Sequence, residues 1–284
     1  MSDVFSLMQR AEHLLARLEQ WIPTSLPETD WSAPAFRWRK NQHQRYLQPV
    51  YQPHRVTLDD LQNIEPQKAE IDRNTRQFAV GRMANNVLLT GARGTGKSSL
   101  VKAAWLAHAD QGLKLIEVDK QDLTDLPEIV DLIGQRPERF ILFCDDLSFE
   151  EGESSYKALK TVLDGSIAAP SANVLIYATS NRRHLLPEYY HENAATRYVG
   201  EEIHPNEAVE EKIALSERFG LWLSFYPFDQ TQYLMAAQYW LNRFGIGQWT
   251  AGIEREALQW AQSRGARSGR VAWQFARDYA GQHA

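Results

Sequence analysis

The sequence predicts an α/β fold in which a parallel five-stranded sheet is followed by a small all-helical lid. Three observations support this fold class. Short apolar segments alternate with helical patterns between residues 85 and 225, which is typical of a parallel sheet with crossover helices. A glycine-rich loop follows the first of these segments, and residues 228–284 have only helical periodicity. We therefore divide the chain into a mainly helical N-terminal appendage (residues 1–56), an α/β domain that carries the glycine-rich loop (57–227) and a helical lid (228–284).

The N-terminal appendage is predicted to begin with a helix and to continue without regular structure. Apolar residues recur at helical spacing over residues 3–21, and Pro23 ends that pattern. Residues 23–53 are rich in Pro, Trp and Arg, so we expect them to be irregular. They include the basic and aromatic segment FRWRK, residues 36–40.

The strands and helices of the other two domains follow from apolar runs and helical spacing. The strand at 139–144 is apolar throughout, as expected for a parallel strand covered on both faces. Strands are predicted before the glycine-rich loop and at 113–118, 139–144, 173–178 and 221–225. Helices are predicted at 66–80, 126–133 and 156–163, and in the lid at 230–244, 254–263 and 271–280.

Composition limits the classes of function. The chain has 284 residues, 43% of them hydrophobic, and a net charge of −5, which gives no general attraction to nucleic acid or membranes. Cys144 is the only cysteine, so no intramolecular disulfide can form and a reducing compartment fits. No apolar run has the length of a membrane span, and the N-terminus lacks a signal-peptide pattern. We expect a cytoplasmic protein without a membrane partner.

The glycine-rich loop carries the most specific motif in the chain. Residues 91–98, GARGTGKS, match G-x-x-x-x-G-K-S/T between a strand and a helix, so backbone N–H groups and the helix N-terminus can surround phosphate. Lys97 is expected to reach the β and γ phosphates, and Ser98 to ligate Mg²⁺. The side chains of Arg93 and Thr95 occupy variable positions and are assigned no role. The predicted nucleotide-binding residues are Gly91, Ala92, Arg93, Gly94, Thr95, Gly96, Lys97, Ser98 and Ser99.

Two carboxylates follow the strand at 139–144. Ligands of open α/β sheets bind at the carboxyl ends of the strands, where Asp145 and Asp146 are predicted to lie. We expect Asp145 to hold Mg²⁺ through water and Asp146 to polarise the attacking water. Glutamate is commoner at the second position, and aspartate is shorter by one methylene. The alternative is a solvated pair of acids at a strand end.

Three further residues are candidates for sensing the nucleotide. Asn181 ends a strand that the preferred topology places between the first and third strands, beside the γ-phosphate; the alternative is a turn-forming asparagine. Arg218 precedes the fifth strand and is better placed for a neighbouring subunit's nucleotide than for its own; the alternative is a surface arginine. Arg270, with Arg267 as the second choice, opens the last helix and can fold onto the γ-phosphate; the alternative is a solvent-facing basic turn.

In this order, the motifs resemble those of the AAA+ ATPases over residues 56–284. The resemblance implies a P-loop NTPase fold with ATP and Mg²⁺ as cofactors, a site between the α/β domain and the lid, and a homo-oligomer with sites between subunits. It implies Walker A at 91–98, Walker B at Asp145 and Asp146, sensor 1 at Asn181, an arginine finger at Arg218 and sensor 2 at Arg270. Residues 61–67 lie where the family packs a segment against adenine.

A narrower resemblance covers most of the chain. The segments EVDKQDLTDLPEIV, FCDDLSFEEGE and YATSNRRHLLPE look like a bacterial ATP-binding family catalogued as a domain of unknown function. That family implies no substrate.

These observations leave several functions open. The first is an ATPase that remodels or loads an unidentified protein partner, and the second is a nucleotide-gated switch with weak hydrolysis. The third is a DNA-acting loader, indicated by Trp38 between basic residues and by Arg182 and Arg183, although the acidic net charge and packing of the tryptophans count against it. A threading unfoldase is disfavoured because residues 119–125 contain no aromatic side chain. A small-molecule kinase is the weaker interpretation of the phosphate loop.

Overall fold

The structure, a computed structural model, describes most of the chain from residue 28 onward. The described residues are 28–41, 44–149, 153–165, 171–182, 185, 197–199, 202–204 and 215–283, together with 8, 10, 12 and 13. Those last four residues are helical, as predicted, and the rest of the predicted helix at 3–21 lies outside the described residues, as does Arg183.

A central sheet organises the described part of the chain. Its strands are β1 (Ala35–Lys40), β2 (Arg45–Val50), β3 (Val87–Gly91), β4 (Leu113–Val118), β5 (Arg139–Cys144), β6 (Val174–Ser180) and β9 (Leu221–Phe225). The order across the sheet is β2-β1-β4-β5-β6-β3-β9, and all pairs are parallel except β1 with β2. Two short strands, β7 (Arg197–Val199) and β8 (Glu202–His204), form a separate antiparallel pair.

Helices cover both faces of the sheet and form the lid. They are α1 (Glu65–Ala79), α2 (Lys97–Leu106), α3 (Leu126–Gly134), α4 (Ser154–Asp164), α5 (Gln230–Arg243), α6 (Ala251–Arg264) and α7 (Gly269–His283), with short 3-10 turns at Leu58–Asp60, Ala109–Gln111 and Lys120–Asp125. One buried apolar cluster joins α1 and α2 to the sheet, and a second joins α3 and α4 to its other face. A third cluster lies within α5, α6 and α7. None of the described helices is long and apolar enough to cross a membrane.

The α/β class and the five predicted strands are confirmed, but the sheet is larger than predicted. It has seven strands, because β1 and β2 extend it at one edge. The prediction that residues 23–53 are irregular is therefore wrong for residues 35–40 and 45–50. Phe36 and Trp38 face inward while Arg37 faces outward, so the basic residues supply the polar half of a period-two strand pattern.

The strand order positions the candidate site. As predicted, β6 lies between β5 and β3, so the carboxyl ends of these three strands meet at one edge. The loop after β3 leads directly into α2, and the first turn of α7 packs against that loop through a hydrogen bond from the Arg270 N–H to the Gly94 carbonyl at 3.1 Å. The division into domains at residues 56 and 227 stays a prediction.

Candidate functional site

A cavity of about 760 Å³ lies between the carboxyl edge of the sheet and the lid. Its wall is formed by the segment before α1, the loop between β3 and α2, the ends of β5 and β6, and helices α5 and α7 of the lid. Its lining residues are His54, Val56, Asp60, Leu61, Gln62, Ile64, Arg93, Gly94, Thr95, Gly96, Lys97, Ser98, Ser99, Asp145, Asp146, Thr179, Asn181, Phe228, Ala236, Trp240, Gly269, Arg270, Trp273 and Gln274. The size fits a nucleotide-sized ligand.

Glycines give the loop its shape. Gly91 and Gly94 have φ values of 125° and 77°, a region that residues with a side chain rarely adopt. A Cβ atom at Gly91 would lie 1.9 Å from the Phe225 carbonyl oxygen, and one at Gly94 would lie 2.8 Å from the hydroxyl of Ser268 in the lid. The loop can therefore approach both β9 and the lid only because these two positions lack side chains.

Lys97 is the buried cation at the centre of the site. Its Nζ donates hydrogen bonds to the carbonyl oxygens of Gly91 and Ala92, both at 2.7 Å, and to Asn181 Oδ1 at 3.0 Å. The pKa of Lys97 is lowered to about 8, chiefly because the ammonium is buried; the charges of Asp146 and Asp145 oppose this shift, and those of Arg270 and Arg93 add to it. A bound anion beside Nζ would favour the charged form.

Asp145 is joined to the predicted Mg²⁺ ligand Ser98. Its Oδ1 accepts a hydrogen bond from Ser98 Oγ at 2.6 Å and another from Thr179 Oγ1 at 2.5 Å. Hydroxyl and carboxylate oxygens are the donors that Mg²⁺ takes in proteins, so this pair fits the predicted ion. Thr179 was not among the predicted site residues. The polar residues at the end of the strand that precedes Asn181 could have indicated it.

Asp146 has an unusual backbone and a direct link to Asn181. Its φ is 53°, one of two positive values among the described residues other than glycine. Its N–H donates to Thr179 Oγ1 at 2.9 Å, and its carboxylate accepts a short hydrogen bond from Asn181 Nδ2. Asn181 therefore bridges Lys97 and Asp146, and the structure brings together all the residues predicted at the ends of β3, β5 and β6.

The two predicted lid and finger arginines are placed differently. Arg270 lines the cavity, whereas the second choice, Arg267, is exposed and does not. Arg218 lies outside the cavity lining, and its guanidinium donates to the carboxylate of Asp164 at the end of α4. The site of one chain therefore contains Arg270 but not Arg218.

The segment FRWRK does not present its basic residues to a ligand. Trp38 is only 2% exposed, and its Nε1 donates to Asp125 Oδ2 at 3.1 Å. The neighbouring cations pair with carboxylates as follows: Arg37 with Glu117 at 3.0 Å, Arg39 with Asp119 at 2.9 Å, and Lys40 and Arg45 with Asp125 at 3.8 and 3.3 Å. This contact pattern supports packing of the tryptophan onto the core, the alternative weighed against DNA binding.

Comparison with known proteins agrees with the fold. The chain has the fold of the AAA+ P-loop ATPases: two variants of RuvB from Thermotoga maritima superpose with TM-scores of 0.52 and 0.51 at 13% and 14% identity. The similarity covers 78% of this chain and 63% of each RuvB chain. Residues 31–283 match the family described as "Protein of unknown function (DUF815)", and the chain belongs to that family.

A curated relative is a protease with a much longer chain. The "ATP-dependent zinc metalloprotease FtsH" of Syntrophobacter fumaroxidans is 26% identical over an alignment 160 residues long, which covers 46% of this chain and 24% of the protease. The H-E-x-x-H motif of zinc proteases is absent here, since the single His-Glu pair, His191 and Glu192, is followed by Asn-Ala-Ala. The part of the chain that the structure describes also holds no group of three or more His, Cys, Asp or Glu side chains placed for a metal. The match spans about a quarter of the length of the protease, so the similarity concerns only part of that protein.

Proposed function

We propose that this protein binds ATP with Mg²⁺ in the cavity, hydrolyses it, and uses the cycle to remodel or load a protein partner. The observation that carries the proposal is a continuous hydrogen-bonded chain on the cavity wall. It runs from Lys97 through Asn181 to Asp146, and from Asp146 through Thr179 to Asp145 and Ser98. A phosphate-binding cation, an ion-binding pair and a base on the wall of the nucleotide cavity are parts that phosphoryl transfer requires.

The two ends of the cavity suit the two ends of ATP. The loop N–H groups at the start of α2 and the Lys97 ammonium would bind the phosphates. At the apolar part of the lining, Leu61 and Ile64 from the segment before α1 would contact adenine from one side. Ala236 and Trp240 of α5 would contact it from the lid, so the base would join these two parts of the chain.

The acidic residues would divide the chemistry between them. Ser98 would ligate Mg²⁺ and Asp145 would hold it through water; the ion neutralises phosphate charge. Asp146 would accept a proton from the water that attacks the γ-phosphorus, as the bond to the β-phosphate oxygen breaks. Asn181 would hold the Asp146 carboxylate in position, and its link to Lys97 would keep that base close to the phosphates.

A nucleotide-gated switch with weak hydrolysis is the second candidate. It is favoured by the position of Arg218, which pairs with Asp164 and lies outside the lining of its own cavity. If the arginine acts on the nucleotide of a neighbour, the isolated chain lacks a cation that stabilises the transition state. We propose a cytoplasmic homo-oligomer in which turnover depends on assembly.

A DNA-acting loader is less favoured, because the cations of residues 37–45 already have carboxylate partners.

The proposal is tested by separating binding from hydrolysis. We expect Lys97→Ala to abolish binding of a fluorescent ATP analogue and Asp146→Asn to keep binding but slow phosphate release by at least about a hundredfold. Circular dichroism of each variant checks the fold. Equal affinities of wild type and Lys97→Ala would refute the nucleotide site, whereas wild-type turnover by Asp146→Asn would remove Asp146 from the chemistry. The same Asp146→Asn protein, loaded with ATP, is the reagent with which to capture the partner.

The assembly proposal is tested by mixing two inactive variants. Lys97→Ala keeps Arg218, and Arg218→Ala keeps the phosphate loop, so a mixed interface can join one intact half from each chain. We expect ATPase activity to reappear on mixing, and wild-type specific activity to rise with protein concentration. If sedimentation detects mixed oligomers without recovered activity, Arg218 is a surface residue and the switch becomes the better interpretation.

A further inference from the structure

Arg93, the third residue of the phosphate loop, is a cation that the proposed mechanism has not used. It is exposed and lines the cavity. Across the ranges described above, its guanidinium makes no hydrogen bond or ion pair. In contrast, Arg39 of β1 is as rich in hydrogen-bond donors but is bound to Asp119 at 2.9 Å.

The carboxylates of the cavity are engaged elsewhere. Asp145 accepts from Ser98 and Thr179, and Asp146 accepts from Asn181. Asp60, which also lines the cavity, accepts hydrogen bonds from Thr57 at 2.8 Å and from Tyr239 at 3.2 Å. Among the described residues, none of these three carboxylates forms an ion pair with Arg93.

Arg93 lies where the loop meets the lid. The next residue, Gly94, accepts a hydrogen bond from the N–H of Arg270, and a Cβ atom at Gly94 would be 3.3 Å from the Cβ atom of Arg270. Both arginines are close enough to Lys97 to lower its pKa. Three cations of one chain thus border the part of the cavity where the outer phosphates would lie.

We propose that Arg93 binds the terminal phosphate of ATP from within the same chain, so that a single subunit distinguishes a nucleoside triphosphate from a diphosphate. This inference rests on the proposed ATP site. A guanidinium presents two parallel N–H groups to two oxygens of one phosphate, a geometry that a lysine ammonium lacks. Arg93 and Arg270 approach this phosphate from the loop and from the lid, and Lys97 approaches it from the base of the loop.

The test compares affinities for triphosphate and diphosphate. Binding of a non-hydrolysable ATP analogue and of ADP, each with Mg²⁺, is measured by calorimetry for wild type, Arg93→Ala and Arg93→Lys. Arg82→Ala is the matched control, because Arg82 is an exposed arginine outside the cavity lining. We expect Arg93→Ala to weaken the triphosphate about tenfold and ADP less than about twofold. Arg93→Lys should fall between, and Arg82→Ala should match wild type.

The inference also requires that the effect be independent of assembly. The measurements are repeated at a protein concentration at which sedimentation shows monomers, and the ratio of the two affinities should be unchanged. Equal weakening of triphosphate and diphosphate, no weakening of either, or an effect confined to oligomers would overturn the role of Arg93. Those results would leave the ATP site intact if Lys97→Ala still abolishes binding. If wild type and Lys97→Ala bind the analogue alike, the ATP site itself fails.

Discussion

The phosphate loop and the β1–β2 hairpin are both basic segments, but only the cations of the hairpin are paired with carboxylates. In the hairpin, Arg37, Arg39, Lys40 and Arg45 each lie 3.8 Å or less from a carboxylate. Around the loop, Lys97 donates only to uncharged oxygens, and Arg93 has no ion-pair partner in the described ranges. The difference teaches that direct pairing of the cations with carboxylates, more than the number of cations, decides which basic segment can bind an anion.

The two segments also differ in what holds them in place. The loop is shaped by glycines that allow close backbone contacts with β9 and the lid. The hairpin is held by its inward side chains, since Phe36 and Trp38 are 1% and 2% exposed. Exposed ion pairs add little stability, so the hairpin's charges are neutralised without being its main support.

The largest expected effect is the loss of folding stability when the buried tryptophan of the hairpin is removed. Trp38→Ala should lower the free energy of unfolding by about 3–5 kcal/mol, because it leaves a cavity and removes the Nε1 partner of Asp125. Urea unfolding followed by circular dichroism measures the loss, and ATP affinity of the folded variant should stay within about twofold of wild type. A variant of normal stability that had lost binding to single-stranded DNA would instead make the hairpin a nucleic-acid surface.

An effect of intermediate size is expected in the pH dependence of ATP binding. Because the pKa of Lys97 is about 8, ATP affinity should fall about tenfold between pH 7 and pH 9 as the ammonium is lost. Calorimetry across this range, with Lys97→Arg as the control that stays charged, measures the slope. A flat profile for wild type that matches the arginine variant would contradict the lowered pKa.

The lowered pKa of Lys97 affects ATP affinity and folding stability in opposite directions as the pH rises. Without nucleotide, Lys97 loses its proton near pH 8 in the folded chain, and near its usual pKa of 10.5 in the unfolded chain. The unfolded chain therefore binds more protons between these values, so this residue's contribution makes the folded state more stable as the pH rises through that window.

The smallest effect is expected at the exposed ion pairs of the hairpin. Removal of the contact between Arg39 and Asp119 should change the free energy of unfolding by less than about 1 kcal/mol. A double-mutant cycle of Arg39→Ala and Asp119→Ala isolates the coupling, and high salt should reduce it further. A coupling above about 2 kcal/mol would mean that the hairpin depends on its charges after all.

Local signals in the sequence predicted most of the sheet and much of the site. The five apolar strands, the helices of the lid and the loop at 91–98 could be predicted because apolar runs, helical spacing and glycine patterns are properties of neighbouring residues. Asp145, Asp146 and Asn181 could be predicted to meet because the carboxyl ends of parallel strands share one edge.

Features that depend on distant residues were missed. The strands β1 and β2 look polar until their arginines are matched with acids some eighty positions further along, as for Arg37 and Glu117. Thr179 becomes part of the site only because β6 lies next to β5, where its hydroxyl reaches Asp145. The pairing of Arg218 with Asp164 likewise depends on contacts that no spacing in the sequence reveals.

The left-handed backbone at Asp146 restricts which residues natural variation can place there. Its φ of 53° is tolerated by glycine, asparagine and aspartate, whereas most other side chains in that conformation cost roughly 1–2 kcal/mol. A single exchange to glutamate, the commoner residue at this position of AAA+ proteins, would thus lengthen the acid and strain the turn at the same time. A longer acid at this position would therefore be free of backbone strain only if the turn that follows β5 also changed its conformation.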